Sequence, residues 1–260
     1  GVTTVIVGNC GISASPVSLR GDPPDPMNLL GNAEAFAYPR FLDYRAAVEN
    51  AHPALNVAAL VGHTALRSNH MDDLHRTATP DEIAAMRVQL QESLEAGALG
   101  LSTGLAYASA FNAETDEVLQ LSEELTAFGA VYTTHLRSEF EPVLEAMDEA
   151  FLIGRHAQVP VIISHLKCAG AGTWGRSPQL LASLELAAKT HAVGCDCYPY
   201  AASSSTLDLK QVTDAFRITI TWSTPHPEVG GRDLQAIAAE WEVSLLDAAR
   251  RLQPAGAVYY

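Results

Sequence analysis

Short apolar runs alternate along the chain with longer segments of helical period. The runs cover residues 3–7, 55–61, 98–102, 130–134, 159–164 and 192–198. Most of them are apolar nearly throughout, which is typical of strands buried on both faces, as in parallel sheets. Successive strand-helix units joined by right-handed crossovers predict an α/β fold, either a (β/α) barrel or a doubly wound sheet.

Capping signals in the sequence predict where several helices begin. Thr79 is followed by a proline and, three residues after the threonine, by Glu82, which is the pattern of a capping box. Apolar residues at helical spacing follow, and Gly97 is predicted to end that helix. Ser177, again followed by proline, is predicted to cap a helix over 180–188. Thr115 is predicted to cap another helix.

Two stretches interrupt this alternation. Residues 12–54 are long for a strand-to-helix connection and rich in proline and glycine, so we expect an active-site loop or excursion there. Residues 201–250 combine a polar run, a short β-like run and a last helix over 234–252, and we interpret them as a small insertion. The predicted organisation is therefore a barrel portion over 1–200, this insertion, and the start of a return to the barrel at 251–260.

Composition narrows the classes of partner. The 260 residues are 48% hydrophobic and 18% charged, which is typical of a soluble globular protein with one large domain. Thirty acidic against sixteen basic residues give a net charge of -14, which disfavours nucleic acid and membrane surfaces. No apolar stretch reaches the roughly 20 residues of a membrane span. Four cysteines in so long a chain are not the pattern of a disulfide framework. We therefore expect the protein in a reducing cytoplasm.

Candidate chemistry lies where predicted strands end. His135 and His165 follow successive strands, and the separation of 165 − 135 = 30 residues is about one strand-helix unit. Cys10 ends the first strand in the same way. The carboxyl ends of parallel barrel strands meet at one face, where a thiolate and two imidazoles would suit Zn²⁺. Spacing alone also allows a buried structural cysteine and histidines that only bond a carbonyl.

Four stretches of sequence bear a family resemblance. In their order and spacing, GVTTVIVGNCG, THLRSE, SHLKCAG with WGRS, and DCYPYAASSSTL are similar to the N-acyl-D-amino-acid deacylases (D-aminoacylases) of the amidohydrolase superfamily. The resemblance implies a (β/α)8 TIM-like barrel of the metal-dependent hydrolase type, incomplete here with about six of eight strands. The small insertion would follow the Tyr198 strand. The family's zinc ligands match Cys10, His135 and His165.

The resemblance also implies substrate-binding residues. Lys167 and Tyr198 match the lysine and tyrosine that hold the substrate α-carboxylate, and Ser204 is a weaker candidate for a hydrogen bond to that carboxylate. The period of two along a strand agrees, because it would place Lys167 on the side of His165. A solvated loop charge for Lys167 and a packed ring for Tyr198 are the structural alternatives.

Three further residues near predicted strand ends are interpreted as structural. Arg137 and Glu139 are expected to form an ion pair or to support His135. His63 is expected to line a pocket or to pack.

Two parts of the family's pattern are not found. These are a His-x-His pair on the preceding barrel strand and an Asp in a Ser-Asp-Gly setting on the last strand. We therefore expect an internal fragment of a longer protein, inactive by itself, whose general-base Asp lies beyond the chain. The implied reaction is zinc-dependent hydrolysis of the amide bond of N-acyl-D-amino acids, which releases a carboxylate and a D-amino acid.

Three alternatives stay open at this point. The same barrel could support another amidohydrolase reaction, such as that of a cyclic amidase or a deaminase, because a fold does not fix its chemistry. Cys10 could act as a nucleophile assisted by a histidine, without a metal. The chain could also be a non-catalytic barrel remnant used for binding.

Overall fold

A parallel sheet forms the centre of the larger part of the protein in the computed structural model, which describes residues 1–260. Its strands are β1 (Thr4–Val7), β2 (Asn56–Ala59), β3 (Val61–Gly62), β4 (Gly100–Gly104), β5 (Val131–His135), β6 (Val161–Ile163) and β7 (Val193–Cys195). β1 pairs with β2, and β3 to β7 pair in chain order, every pairing being parallel. β2 and β3 are separated only by Leu60, so six successive strand positions result. The predicted α/β class and the parallel strands are confirmed.

Helices connect these strands. They are α1 (Phe41–Ala51), α2 (His63–His70), α3 (Pro80–Glu95), α4 (Thr115–Thr126), α5 (Val143–Ala157) and α6 (Ser177–Ala187). Between helices and sheet lies one apolar core, in which Leu101, Leu121 and Met147 have no exposed surface. The stretch 12–54 is not all loop, because it contains α1.

The helix starts agree with the sequence at one position and differ at two. Thr79 caps α3 with both hydrogen bonds of a capping box. Thr115 is instead the first residue of α4, whose cap position is Glu114 without a side-chain bond, and the Thr115 hydroxyl donates to Glu149 at 2.7 Å. Ser177 likewise begins α6, whose cap position is Arg176 without a side-chain bond.

Two strands differ in extent from the prediction. β4 runs from Gly100 to Gly104, two residues later at its end than the apolar run. Gly100 tolerates this path because it lacks a Cβ, which would lie 1.9 Å from the carbonyl oxygen of Val131. β7 ends at Cys195, and the following Asp196 bonds the end of β6 and the chain after it.

A second compact unit comprises Ala169–Trp174 and Tyr198–Tyr260. It contains β8 (Ser203–Thr206), β9 (Ile218–Ser223) and β10 (Ala255–Tyr259), with α7 (Leu234–Glu240) and α8 (Leu245–Leu252). The strands form an antiparallel sheet in the order β8-β10-β9 over a separate apolar core. The single last helix of the prediction is thus two helices. Residues 251–260, expected to start a return to the barrel, include the central strand of this sheet.

Two chemical features of the chain concern its surroundings. None of its helices combines the length and the apolar composition needed to cross a bilayer. All four cysteines are free thiols.

Candidate metal centre

Three side chains singled out in the sequence lie together. One ligand atom each from Cys10, His135 and His165 falls within 4.8 Å of the other two. Cys10 Sγ is 3.3 Å from His165 Nε2, and the two imidazole rings meet edge to face with centroids 4.6 Å apart. Bond lengths for tetrahedral zinc put a sulfur and two nitrogens about 3.3–3.6 Å from one another. The donor types and their spacing therefore fit one zinc ion after small side-chain adjustments.

The carboxyl ends of three parallel strands supply these side chains. Cys10 follows β1, His135 is the last residue of β5, and His165 follows β6. Loops at this end of a parallel sheet carry function while the strands hold their positions. The geometry arises from strands whose order in the sheet brings distant sequence positions to one edge.

Backbone conformation sets two of the three residues apart. Five non-glycine residues have positive φ, and three of them follow the ends of helices, namely His52, Gln158 and Glu242. The other two are Cys10, at 57°, and His165, at 41°. A left-handed backbone costs a residue with a Cβ about 1–2 kcal/mol, so the surrounding structure must hold both in place.

Glu139 and Lys167 lie against the histidines. Glu139 Oε1 is 3.0 Å from His165 Nδ1, and Glu139 Oε2 is 3.9 Å from His135 Nε2. The Lys167 ammonium pairs with Glu139 and lies 2.9 Å from His165 Nδ1. A carboxylate beside an imidazole orients the ring and raises its basicity. Glu139 therefore orients the His165 ring and lies near the His135 ring, and Lys167 puts a positive charge next to His165.

The two imidazoles have opposite pKa shifts. Burial lowers the pKa of His135 to about 4, and Glu139 only partly opposes this effect. Burial also disfavours the charged form of His165, but its hydrogen bonds with Cys10 and Glu139 outweigh that effect and raise its pKa to about 9. Burial would raise the pKa of Glu139, yet its bond with His165 and the charges of His135 and Lys167 lower it to about 2. The carboxylate is therefore charged at neutral pH.

Two residues of the site were missed by the sequence reasoning. The Tyr107 ring lies 4.7 Å from that of His135, and its hydroxyl is 3.3 Å from His135 Nδ1. Burial, followed by the charge of Cys10, raises the pKa of this phenol. Asp196 accepts the backbone N–H of His165 at 2.6 Å and so helps to hold its unusual backbone. The available signal was position, because both residues follow strand ends.

Four further residues were singled out in the sequence. Tyr198 and Ser204 belong to the second unit, where Tyr198 is half-buried and Ser204 is exposed on β8. Arg137 pairs with Glu149 rather than with Glu139, at 2.7 Å. His63 is fully buried, with its Nε2 2.7 Å from Glu117.

Similar proteins carry related activities. The D-aminoacylase of Alcaligenes xylosoxydans xylosoxydans is 45% identical over 260 residues, which are 100% of this chain and 54% of that protein. The N-acyl-D-aspartate deacylase of the same organism is 46% identical over 261 residues, covering 100% of this chain and 52% of its own length. This chain thus spans about half the length of both.

A solved structure agrees in fold. The N-acyl-D-glutamate deacylase of Bordetella bronchiseptica, complexed with zinc and a phosphonate inhibitor that mimics the tetrahedral intermediate, superimposes with a TM-score of 0.94. It is 42% identical, and the match covers 100% of this chain and 55% of that one. The sequence pattern of the amidohydrolase family matches residues 1–260. From its first residue to its last, this chain belongs to the amidohydrolase family.

Proposed function

We propose that the protein is a metal-dependent hydrolase that cleaves the amide bond of N-acyl-D-amino acids and releases a carboxylate and a D-amino acid. The observation that carries the proposal is the convergence of Cys10, His135 and His165 on one point, with the Lys167 ammonium beside His165. Relatives that share 45% and 46% of this sequence are named for reactions of this class.

Zinc is the metal we propose for the three donors. A thiolate and two imidazoles suit its borderline-soft character, and the related deacylase of Bordetella bronchiseptica was solved with zinc. Zinc held by Cys10, His135 and His165 would supply a Lewis acid that polarises the scissile carbonyl and lowers the pKa of a water. Glu139 keeps the His165 ring oriented through its contact at 3.0 Å. Within residues 1–260 we assign no general base.

Lys167 provides the cation for the substrate α-carboxylate. Its side chain is only 18% exposed, so the pair that it forms is partly removed from water. An incoming carboxylate would share this ammonium with Glu139. Tyr198 and Ser204 are proposed to add hydrogen bonds to the same carboxylate. With the carboxylate and the amide both fixed, the configuration at the α-carbon decides whether the amide reaches the metal.

A barrel is the architecture that we propose for the complete sheet. Its six strand positions are parallel and follow chain order, from β1 through β2 and β3 to β7. A doubly wound sheet would instead reverse its strand order at a switch point. The placement of Cys10, His135 and His165 after carboxyl ends of strands also agrees with barrel enzymes.

The decisive experiment measures deacylation by the full-length protein. We expect N-acetyl-D-amino acids with medium-sized apolar side chains to release the free D-amino acid, with strong discrimination against L-isomers. A chelator should abolish turnover, and zinc should restore it. Equal rates on both enantiomers would contradict the carboxylate anchor, and activity that survives the chelator would favour the cysteine nucleophile.

Preference among neutral and acidic side chains does not follow from similarity. The chain is 45% identical to a D-aminoacylase and 46% identical to an N-acyl-D-aspartate deacylase, so identity does not separate the two specificities. A panel of N-acetyl-D-amino acids should therefore include an aspartate and a glutamate derivative.

The cytoplasmic location, and the exclusion of nucleic acid and membrane partners, stay predictions from composition.

A further inference from the structure

One buried hydroxyl ties down both sides of the turn that carries Cys10. Ser102, on β4, has no exposed surface. Its Oγ accepts the backbone N–H of Gly11 at 3.1 Å and donates to the carbonyl of Gly8. These two backbone groups flank Cys10, one residue after it and two residues before it. Ser102 therefore closes the turn from a neighbouring part of the sheet.

The same turn rests directly on the backbone of β4. A Cβ on Gly11 would lie 2.7 Å from the nitrogen of Gly104, and a Cβ on Gly104 would lie 2.2 Å from the carbonyl oxygen of Cys10. Real side-chain atoms do not approach so closely, so backbone meets backbone here. Only at such short range can a side chain as small as that of Ser102 reach both sides of the turn.

The turn needs this support because Cys10 has a φ of 57°. A residue with a Cβ pays about 1–2 kcal/mol for the left-handed region and returns to extended backbone when its surroundings loosen. Such a change would swing the Sγ away from His165 Nε2, which is now 3.3 Å distant. The position of the Cys10 Sγ is thus coupled to the two bonds of Ser102.

We propose that Ser102 is a positioning residue for the metal centre, which acts through Cys10 and fixes the direction of its Sγ. The inference rests on the proposed function, because it assumes that Cys10 is a metal ligand. It goes further by assigning a task to a residue that touches neither the other donors nor the substrate. The structural alternative is that Ser102 only satisfies two buried backbone groups and contributes to stability alone.

The test replaces Ser102 in the full-length protein and follows the thiolate itself. The variants are Ser102→Ala, Ser102→Val and Ser102→Thr; Thr and Val have the same shape but only Thr has a hydroxyl. Cobalt is loaded in place of zinc, so that the sulfur-to-cobalt charge-transfer absorption reports the Cys10 bond. Zinc affinity is measured by competition with a chelating dye. Ser122→Ala is the matched control, because Ser122 is also fully buried and donates to the carbonyl of Leu119 at 2.7 Å on α4.

We expect the Ala and Val variants to bind zinc about 10- to 100-fold more weakly and to lose most of the charge-transfer absorption. Ser102→Thr should retain both properties to a greater extent than Ser102→Val, and the Ser122 control should match the wild type. Any crowding by the larger side chains is common to Thr and Val, so their difference measures the hydroxyl even if both are less stable.

Two other outcomes are distinguishable. Folded Ala and Val variants with wild-type affinity and absorption would overturn the role of Ser102 and leave the metal centre intact. Equal losses in the Thr and Val variants, with a wild-type Ala variant, would also overturn it, since crowding would then be the cause. If the Cys10→Ala variant had the same cobalt spectrum as the wild type, the metal centre itself would be overturned.

Discussion

The Lys167 side chain contacts two other residues of the site. Its ammonium pairs with Glu139 and lies 2.9 Å from His165 Nδ1. The residue was predictable from a resemblance and from its spacing of two from a candidate ligand. The pairing with Glu139 was not, because that contact joins residues 28 positions apart on different strand ends.

Removing the Lys167 ammonium should reduce substrate capture. Lys167→Ala leaves the substrate carboxylate and Glu139 close together without a cation, and breaking such a partly buried pair costs about 2–5 kcal/mol. We expect kcat/KM to fall by about 10²-fold or more, which steady-state kinetics on an N-acetyl-D-amino acid will measure. Lys189→Ala, at an exposed position after α6, is the control. An unchanged kcat/KM would remove Lys167 from the substrate site.

The clustering of the three candidate ligands could be predicted from the sequence, while the residues that hold them in place could not. Cys10, His135 and His165 follow apolar runs and match a family pattern. Tyr107 and Ser102 lie on or after β4 and reach the site only through contacts with other strands. No local pattern shows which way such side chains point, because that depends on the register between strands.

The segment after β4, residues 105–114, is held like a rigid element although it has no helix or strand. Arg137 donates to two of its carbonyl groups at 3.0 Å each and is neutralised by Glu149. From the other side, Arg67 donates to a third carbonyl of the segment at 3.3 Å. These bonds fix the path of the chain that places Tyr107 on His135.

Loosening that path should be visible without an activity measurement. Arg137→Met removes the bonds to both carbonyls and leaves Glu149 without its cation. We expect faster hydrogen exchange of the amides in 105–114, measured by mass spectrometry on peptides. Arg87→Met is the control, because Arg87 pairs with Glu124 on the helical surface at 2.7 Å. Unchanged exchange in the Arg137 variant would show that the segment is held by its other contacts.

Elements were predictable where one local signal dominates. The capping box at Thr79 involves residues three apart, so the sequence shows it directly. Thr115 lies one residue too late to cap α4, and its hydroxyl donates to Glu149 on α5, a contact that no local pattern shows. Helix α1 was missed, because proline and glycine around it suggested a continuous loop.

For the whole molecule, the order of the strands is the feature that assembles the site. Apolar runs located the strands, and the expected right-handed crossovers placed successive parallel strands side by side. That reasoning was sufficient to bring distant strand ends to one edge. The second unit was harder to foresee, because its three short strands pair out of chain order.

Acid should destabilise the whole fold through a buried charge network. Burial opposes ionisation of Glu117, yet its bonds with His63 and Arg67 lower its pKa from 4.5 to about 2. The folded state therefore binds fewer protons than the unfolded state in this range. The resulting stability is fully present above about pH 4.5 and is lost as the pH falls towards 2.

Glu117→Gln should reveal this contribution. The variant leaves the Arg67 cation buried without its counter-charge, so we expect the free energy of unfolding at pH 7 to fall by about 3 kcal/mol. The further loss between pH 4.5 and pH 2 should be smaller than in the wild type. Urea unfolding at several pH values will measure both effects, with Glu145→Gln on the exposed face of α5 as the control. If the free energy of unfolding depended on pH in the same way in the wild type and in Glu117→Gln, the network would be excluded as a source of acid sensitivity.

The left-handed backbone at Cys10 is unfavourable for stability, although the proposed activity needs a thiol at this position. With a φ of 57°, this turn suits glycine better than any residue with a side chain. Cysteine there is about 1–2 kcal/mol less favourable for the backbone than glycine, a large part of the 5–15 kcal/mol that keeps a typical domain folded. If the proposed metal centre were not needed, glycine at position 10 would give a more stable fold. Cysteine at position 10 is thus a residue that the proposed reaction requires and that the backbone alone does not favour.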